Sequence, residues 1–369
     1  MNRHWLFLAV FIIPVVSCTT SPRSETGIPL PEMRGADISF YDQLESMGTV
    51  FLDNGTERDL LDILWDRNVN WIRLRLWKDP SGHDSWCSLE RTLEMARRVK
   101  EAGFYFLLDI HYSDWWADPG HQTKPADWID LSYEELILAV YDYTSDVLRA
   151  FVDAGCVPDM VQIGNEITNG MLWPDGAVDY AGPNPFEKLM PLVSSGIQAA
   201  RETVPGILIM LHLDSGGNNA VSRSWFDAAV SYDLYFDTIG LSYYPFWHGR
   251  DLAVLEANLT DLAVRYNKDI CIVETSYPWT LDWNDNERNT VGSPAQLVSG
   301  YPATPEGQKK YLAALMEIMD SLPGKHGAGI FWWEPDFVAV PGFPSSQENL
   351  TWFDFNLEYN GCADVFLGN

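Results

Sequence analysis

Two glutamates stand where apolar runs stop. Glu166 closes "DMVQIGNE" (159–166), directly after Asn165, and Glu274 stands near the end of "DICIVET" (269–275). One glutamate in such a place reads as a surface residue. Two at equivalent ends, both flanked by polar or aromatic neighbours, point instead to a shared cleft. Paired carboxylates across a cleft can cleave a glycosidic bond: one protonates the leaving oxygen while the other attacks the anomeric carbon, at about 5–5.5 Å separation when configuration is retained. Asn165 is suited to hydrogen-bond a sugar 2-hydroxyl, a contact that strengthens in the transition state.

Such a pair needs a scaffold that brings distant segments to one face. From residue 34 onward short apolar runs alternate with amphipathic stretches, and eight runs read as strands: 34–39, 70–77, 104–111, 159–166, 206–213, 236–244, 269–275 and 327–333. Between them lie helix patterns. In "SLERTLEMARRVKEAG", Leu89, Leu93, Ala96 and Val99 repeat near a 3.6 period and Gly103 supplies the stop; "TPEGQKKYLAALMEIMDSL" opens with Thr304 as cap and Pro305 in the first turn. A crossover of a dozen or more residues is what parallel neighbours require. The expected fold is therefore α/β, a single (β/α)₈ TIM barrel over residues 34–369, whose active site gathers at the C-terminal ends of the strands. An open doubly wound sheet is the alternative, and "GADISFYDQL" lacks its Gly-rich phosphate turn.

Composition sets limits on the partner. With 369 residues, 46% of them hydrophobic, the chain can bury a core of barrel size. A formal charge of −28 argues against nucleic acid or an anionic membrane surface and favours a neutral or cationic ligand. The 16 Trp, 16 Tyr and 17 Phe exceed what a core of this size needs, which suits a cleft that stacks sugar rings.

The first residues carry Arg3, an apolar run from Trp5 to Val16, then Ser17 and Cys18. Twelve apolar residues are too few to span a bilayer, which takes about 20, so the segment reads as an export signal. Its Cys after a small residue resembles a bacterial lipoprotein signal, with Val15 where that signal usually has Leu. The expectation is a signal over 1–18 with Cys18 as the lipidated first residue, a polar linker over 19–33, and a location at the cell surface or the periplasmic face of an outer membrane. Cys87, Cys156, Cys271 and Cys362 fit no zinc spacing and are too few for a disulfide framework, so they read mostly as free thiols.

The motifs "RGADIS", "DIHYSDWWADPG", "QIGNEITNGMLWP", "LSYYPFWHG", "ETSYPWT" and "WWEP", in that order, resemble the strand-end motifs of glycoside hydrolase family 53, the endo-β-1,4-galactanases, through most of the chain. The resemblance implies a retaining barrel enzyme that cuts the β-1,4-galactan of pectin and type I arabinogalactan, with Glu166 as general acid/base and Glu274 as nucleophile. It carries the family's cleft positions to Arg75, Asp109, His111, Trp116, Tyr243 and Trp333. Each also has a plainer reading. Arg75 could be a core arginine partnered inside the barrel. Asp109 and His111, two apart on one strand face, could be metal ligands. Trp116 and Trp333 could be core, and Tyr243 could fill the barrel or hydrogen-bond the nucleophile.

The chemistry requires no cofactor. Bacterial members of the family that bind calcium carry alternating acids, His and Asn in the loop after the seventh strand, which here reads "TLDWNDNERNT". Asp285, Glu287 and Asn289 keep an alternating oxygen pattern suited to structural calcium, with Trp283 where an acid is expected and Glu287 where His is. Gln347 stands at a usually aromatic position, and the 36 residues after Trp333 leave little room for a long last loop and a full eighth helix. Two rival functions remain at this stage. One is a retaining barrel glycosidase acting on mannan, xylan or glucan, since the pair alone does not name the sugar. The other is a non-catalytic surface glycan-binding lipoprotein, against which the glutamate pair itself argues.

Overall fold

The computed structural model describes residues 32–368; the expected signal, its Cys18 and most of the 19–33 linker lie outside them. Eight parallel strands close into a barrel: β1 Met33–Asp37, β2 Trp71–Leu76, β3 Tyr105–Ile110, β4 Met160–Ile163, β5 Leu208–Leu213, β6 Thr238–Ser242, β7 Asp269–Thr275 and β8 Gly327–Trp333. β8 pairs back onto β1 in parallel, Met33 opposite Gly329 and Asp37 opposite Trp333, so no edge is left open. The helices longer than one turn between strands are α1 Tyr41–Ser46, α2 Leu60–Asp66, α3 Leu89–Glu101, α4 Tyr133–Asp153, α5 Leu189–Thr203, α6 Asn219–Ser231, α7 Leu252–Tyr266 and α8 Pro305–Ser321. After β8 the described residues hold only a short 3₁₀ turn, Cys362–Leu367, in keeping with the room that the sequence leaves there.

Local chemistry sets the helix ends as expected. Ser88 accepts from Arg91 N to start α3, and Thr304 accepts from Gly307 N at 3.0 Å to start α8 with Pro305 in its first turn. Strand ends were read one to three residues too long at most positions, because apolar composition continues into the loops. All four cysteines among the described residues are buried free thiols, with Cys271 inside β7.

The barrel interior changes character along its axis. Strand side chains alternate between faces, so inward positions recur every second residue. Near the strand starts these are apolar: Met33, Trp71, Leu107, Met160, Met210 and Phe331 share one buried cluster. Gly35 is inward too, and a Cβ there would meet the Phe331 ring at 2.3 Å, so glycine is what lets that ring fill the centre. Toward the strand ends the same columns turn polar while staying buried: Asp37, Arg73, Arg75, Asp109, Gln162, His212 and Ser242. Buried charges must be partnered, and here they partner one another beneath the cleft floor.

Candidate active site

Glu166 stands three residues beyond the end of β4. The chain turns at Gly164, φ 81°, where a Cβ would lie 2.6 Å from Ile167 Cγ2, and Glu166 itself adopts a left-handed backbone, φ 48° and ψ 48°. For a residue with a side chain this costs on the order of 1–3 kcal/mol, and it persists because neighbours over-determine it. Gln122 Nε2 donates to Asn165 O at 2.8 Å and Trp225 Nε1 to Ile167 O at 3.1 Å, clamping the turn on both sides.

Glu274 reaches the cleft through an irregularity. The pairing of β6 with β7 runs Leu241 opposite Ile272, then Ser242 opposite Glu274, so one extra residue is accommodated on β7. Cys271 and Val273 belong to the inner cluster, and strict alternation would turn Glu274 outward. The bulge re-aims it inward, the usual role of such features beside active sites. Thr275 then faces the helices and bonds Tyr243 O and Tyr311 Oη.

The two carboxylates meet. One oxygen of Glu166, one of Glu274 and a ring nitrogen of His212 lie within 4.8 Å of one another. Ser242 Oγ donates to Glu166 Oε1 at 2.6 Å and lies 3.3 Å from Glu274 Oε2. His212 orients that hydroxyl. Its Nδ1 lies 2.9 Å from Asn165 Oδ1 and 3.1 Å from Gln162 Nε2, and its Nε2 lies 2.8 Å from Ser242 Oγ. Burial, reinforced by the Arg73 cation, holds the imidazole well below its usual pKa, hence neutral.

The charge environment separates the two acids. Burial raises the Glu166 pKa well above the carboxylate range, and the nearby Glu274 and Asp214 charges push it further; only the Ser242 hydroxyl opposes. Burial also raises Glu274, but Arg73 opposes it directly, with Nη1 2.8 Å from Oε1, and Tyr244 Oη donates to Oε2 at 3.0 Å. Glu166 is thereby the member that keeps a proton and Glu274 the one stabilised as an anion.

A cavity of about 710 Å³ opens above the pair, and Arg75, Asp109, His111, Trp116, Asn165 and Trp333 all line it. Asp109 lies deep: burial favours its neutral form, but the Arg73 guanidinium and His111 together outweigh burial, and the carboxyl sits below its usual range. His111 Nε2 donates to Asp109 Oδ2 at 2.9 Å while its Nδ1 accepts from Ala117 N at 3.0 Å, so neither nitrogen is left for a metal. Asn165 Oδ1 accepts from Arg73 and its Nδ2 donates to Ala117 O. An amide nitrogen carries two hydrogens, and one is thereby committed.

Arg75 is buried, ion-paired with Glu334, and stacked between Phe40 at 4.3 Å and Trp116 at 4.2 Å, so its core and cleft readings coexist. Tyr243 requires correction. Its hydroxyl donates to Gly249 O at 2.7 Å, it is fully buried, and the cavity is lined by Tyr244 instead.

The expected calcium loop is only partly assembled. Asp285 accepts from Glu287 N and Ser345 N, and Asn289 Oδ1 is buried without a hydrogen-bond partner. The Glu287 side chain is exposed. Glu348, which the sequence reading did not include, accepts from Asn284 N at 2.6 Å and keeps a second buried oxygen, Oε2, without a partner.

Residues 33–366 match the profile of glycosyl hydrolase family 53. The chain belongs to glycosyl hydrolase family 53. An uncharacterized protein of Niallia circulans is 48% identical to it over 330 residues, covering 87% of this chain and 89% of that one. An arabinogalactan endo-β-1,4-galactanase of Cellvibrio japonicus is 34% identical over 344 residues, covering 90% and 89%. Among solved structures, the family 53 catalytic domain of Ignisphaera aggregans superposes with a TM-score of 0.86 at 38% identity, covering 92% of this chain and 96% of that domain. The chain is accordingly a glycoside hydrolase, and its family requires no cofactor for the chemistry.

In this family 53 hydrolase several site residues escaped the sequence reading. Arg73 is the central one, and "RLRLW" did carry a signal: positions 73 and 75, two apart on one strand, share a face. Asp37 and Gln162 follow from the same alternation. Ser242 and Tyr244 carried none, since a serine and a tyrosine at a strand end are ordinary.

Proposed function

We propose that this family 53 hydrolase cleaves internal β-1,4-galactosidic bonds of galactan and type I arabinogalactan with retention of configuration. The Glu166 carboxyl gives its proton to the glycosidic oxygen as that bond breaks, and a Glu274 carboxylate oxygen forms a bond to the anomeric carbon. Glu166, now ionised, then takes a proton from water, whose oxygen displaces Glu274. The observation that carries this reading is the buried pair within 4.8 Å, bridged by Ser242, with Arg73 on Glu274 alone. Inverting enzymes space their carboxyls at about 6.5–9.5 Å to admit water, so the short spacing supports retention. The sugar assignment is supported by family membership and by the name of the Cellvibrio japonicus relative. A reducing-sugar assay on galactan, mannan, xylan and β-glucan tests it: release from galactan is expected, and release only from another polymer overturns it.

Two further parts of the reading have their own tests. A structural calcium ion would be held by Asp285, Asn289 and Glu348, supported by the two buried oxygens without partners; calcium is expected to raise the melting temperature of chelator-treated protein, and no shift overturns the ion. Export with a lipid on Cys18 would place the enzyme at the cell surface or the periplasmic face of the outer membrane, supported by the sequence of residues 1–18. Cys18→Ala is then expected to leave the membrane fraction with unchanged specific activity, and continued sedimentation with membranes overturns the anchor.

A further inference from the structure

Glu334 follows Trp333, the last residue of β8, and is not among the residues that line the catalytic cavity. Its backbone is left-handed, φ 51°, the conformation that Glu166 also adopts. A residue with a side chain keeps such a backbone only where its surroundings over-determine it, and residues so held cluster at functional sites. Both carboxylate oxygens of Glu334 have partners. Oε1 pairs with Arg75 Nη1, and Oε2 accepts from Phe40 N at 3.4 Å.

Arg75, from β2, does line the cavity. Its guanidinium lies 4.3 Å from the centre of the Phe40 ring, 4.2 Å from Trp116 and 5.2 Å from Trp77, so aromatic faces hold its flat sides. Its edge is less complete. Nε and Nη2 are buried without a hydrogen-bond partner. The Cys87 thiol stands close by, but burial pushes it up to about 11, so it brings no charge at neutral pH. Buried donors of a cation call for an acceptor that the protein does not supply, and a sugar in the cavity carries such acceptors as hydroxyl oxygens. A guanidinium is a rigid planar fork, so holding Nη1 also sets where the other two nitrogens point.

We propose that Glu334 is a positioning residue for substrate binding: through its ion pair it aims the free donors of Arg75 at sugar hydroxyls in the catalytic cavity and keeps the guanidinium flat against Trp116. The role goes beyond the cleavage reading, because it needs a hydroxyl-bearing substrate and no particular sugar.

The test is a double-mutant cycle in KM on galactan, a constant that does not depend on the folded fraction. Arg75→Met is expected to raise KM about tenfold, the order of a hydrogen bond from a charged donor, and Glu334→Gln about fivefold. If Glu334 acts through Arg75, the double variant stays near tenfold, whereas independent effects would multiply to about fiftyfold. Glu334 tolerates loss of the cation by taking up a proton, since burial already raises its carboxyl and Arg75 is what opposes the rise. A purely structural Glu334 would lower the melting temperature and leave KM alone. KM unchanged in either single variant, or effects that multiply in the double, overturns the proposal. Should Glu334→Gln fail to fold, Glu334→Asp, which keeps the charge and shortens its reach by one methylene, is expected to raise KM in the same direction, and an unchanged KM there overturns the role equally. If wild type cleaves another polymer instead, the galactan reading fails separately, and the same cycle on that polymer still judges Glu334.

Discussion

Arg73 Nη1 lies 2.8 Å from Glu274 Oε1, with both side chains buried. The same guanidinium bonds Asp37 at 2.8 Å and Asp109 at 2.9 Å, so one cation serves three carboxylates under the cleft floor. A guanidinium suits this because its donors are fixed in a planar fork and it stays charged when buried. Glu274 can thus remain an anion beside a second, protonated glutamate.

Arg73→Met is expected to lower unfolding stability by about 3–5 kcal/mol, the cost of leaving buried carboxylates without their cation. Because Arg73 opposes the burial-driven rise of Glu274, the acidic limb of kcat/KM should also move to higher pH. Denaturant titration and a pH–rate profile measure the two effects. Stability and limb both unchanged would show that the ion pair is dispensable.

Glu274→Ala is expected to abolish nearly all turnover while galacto-oligosaccharide binding persists, since a nucleophile acts on the transition state more than on ground-state stacking. In wild type, early-time proton NMR should show the β-anomer first. An initial α-anomer would overturn both the nucleophile and the short-spacing argument.

Glu166→Gln should remove the basic limb of the pH profile. Burial and the Glu274 charge raise Glu166, so its acid form persists above the ordinary carboxylate range and is lost as pH climbs through the raised pKa. Glycosylation by activated aryl galactosides, which need no proton on the leaving group, should be spared relative to galactan. Equal losses on both substrates would argue against the acid role.

Adjacent tyrosines should behave differently. Tyr244→Phe removes the 3.0 Å donor to Glu274 Oε2 and is expected to lower kcat about tenfold. Tyr243→Phe removes a 2.7 Å bond to Gly249 O and should cost about 1 kcal/mol of stability with kcat kept. Steady-state kinetics and thermal melts of the pair check this, and the reverse pattern would restore Tyr243 to the site.

Asp336 is wholly buried, and burial with the Asp37 charge pushes its pKa up to about 8. Its unfolded value is about 3.9, so the folded state holds a proton that the unfolded state releases. The stability from this group is fully present below about pH 4 and falls as pH rises toward 8. Asp336→Asn, which cannot ionise, should reduce the fall in unfolding free energy between pH 4 and 8. An identical pH slope in the variant would remove Asp336 as its source.

Periodicity alone specified much of this molecule. Apolar runs of six or so residues spaced by amphipathic stretches require parallel strands and crossovers, and closing eight of them brings Glu166 and Glu274 to one rim whatever the loops do. Ser88, Thr304 and Pro305 marked their helices because capping is a local interaction. Which neighbour of two faces the cleft was a different matter. Alternation predicts a face only while the register is regular, and the bulge at Ser242 and Glu274 breaks it where the nucleophile must turn inward. Past Ser242 the strand has ended, so parity cannot tell Tyr243 from Tyr244. Arg73 and Arg75 share a face, and only three-dimensional distance sends one to Glu274 and the other to Glu334. The scaffold follows from short-range patterns repeated along the chain, whereas the choice of hydrogen-bonding partner depends on groups 201 and 259 positions apart, which only the folded structure brings together.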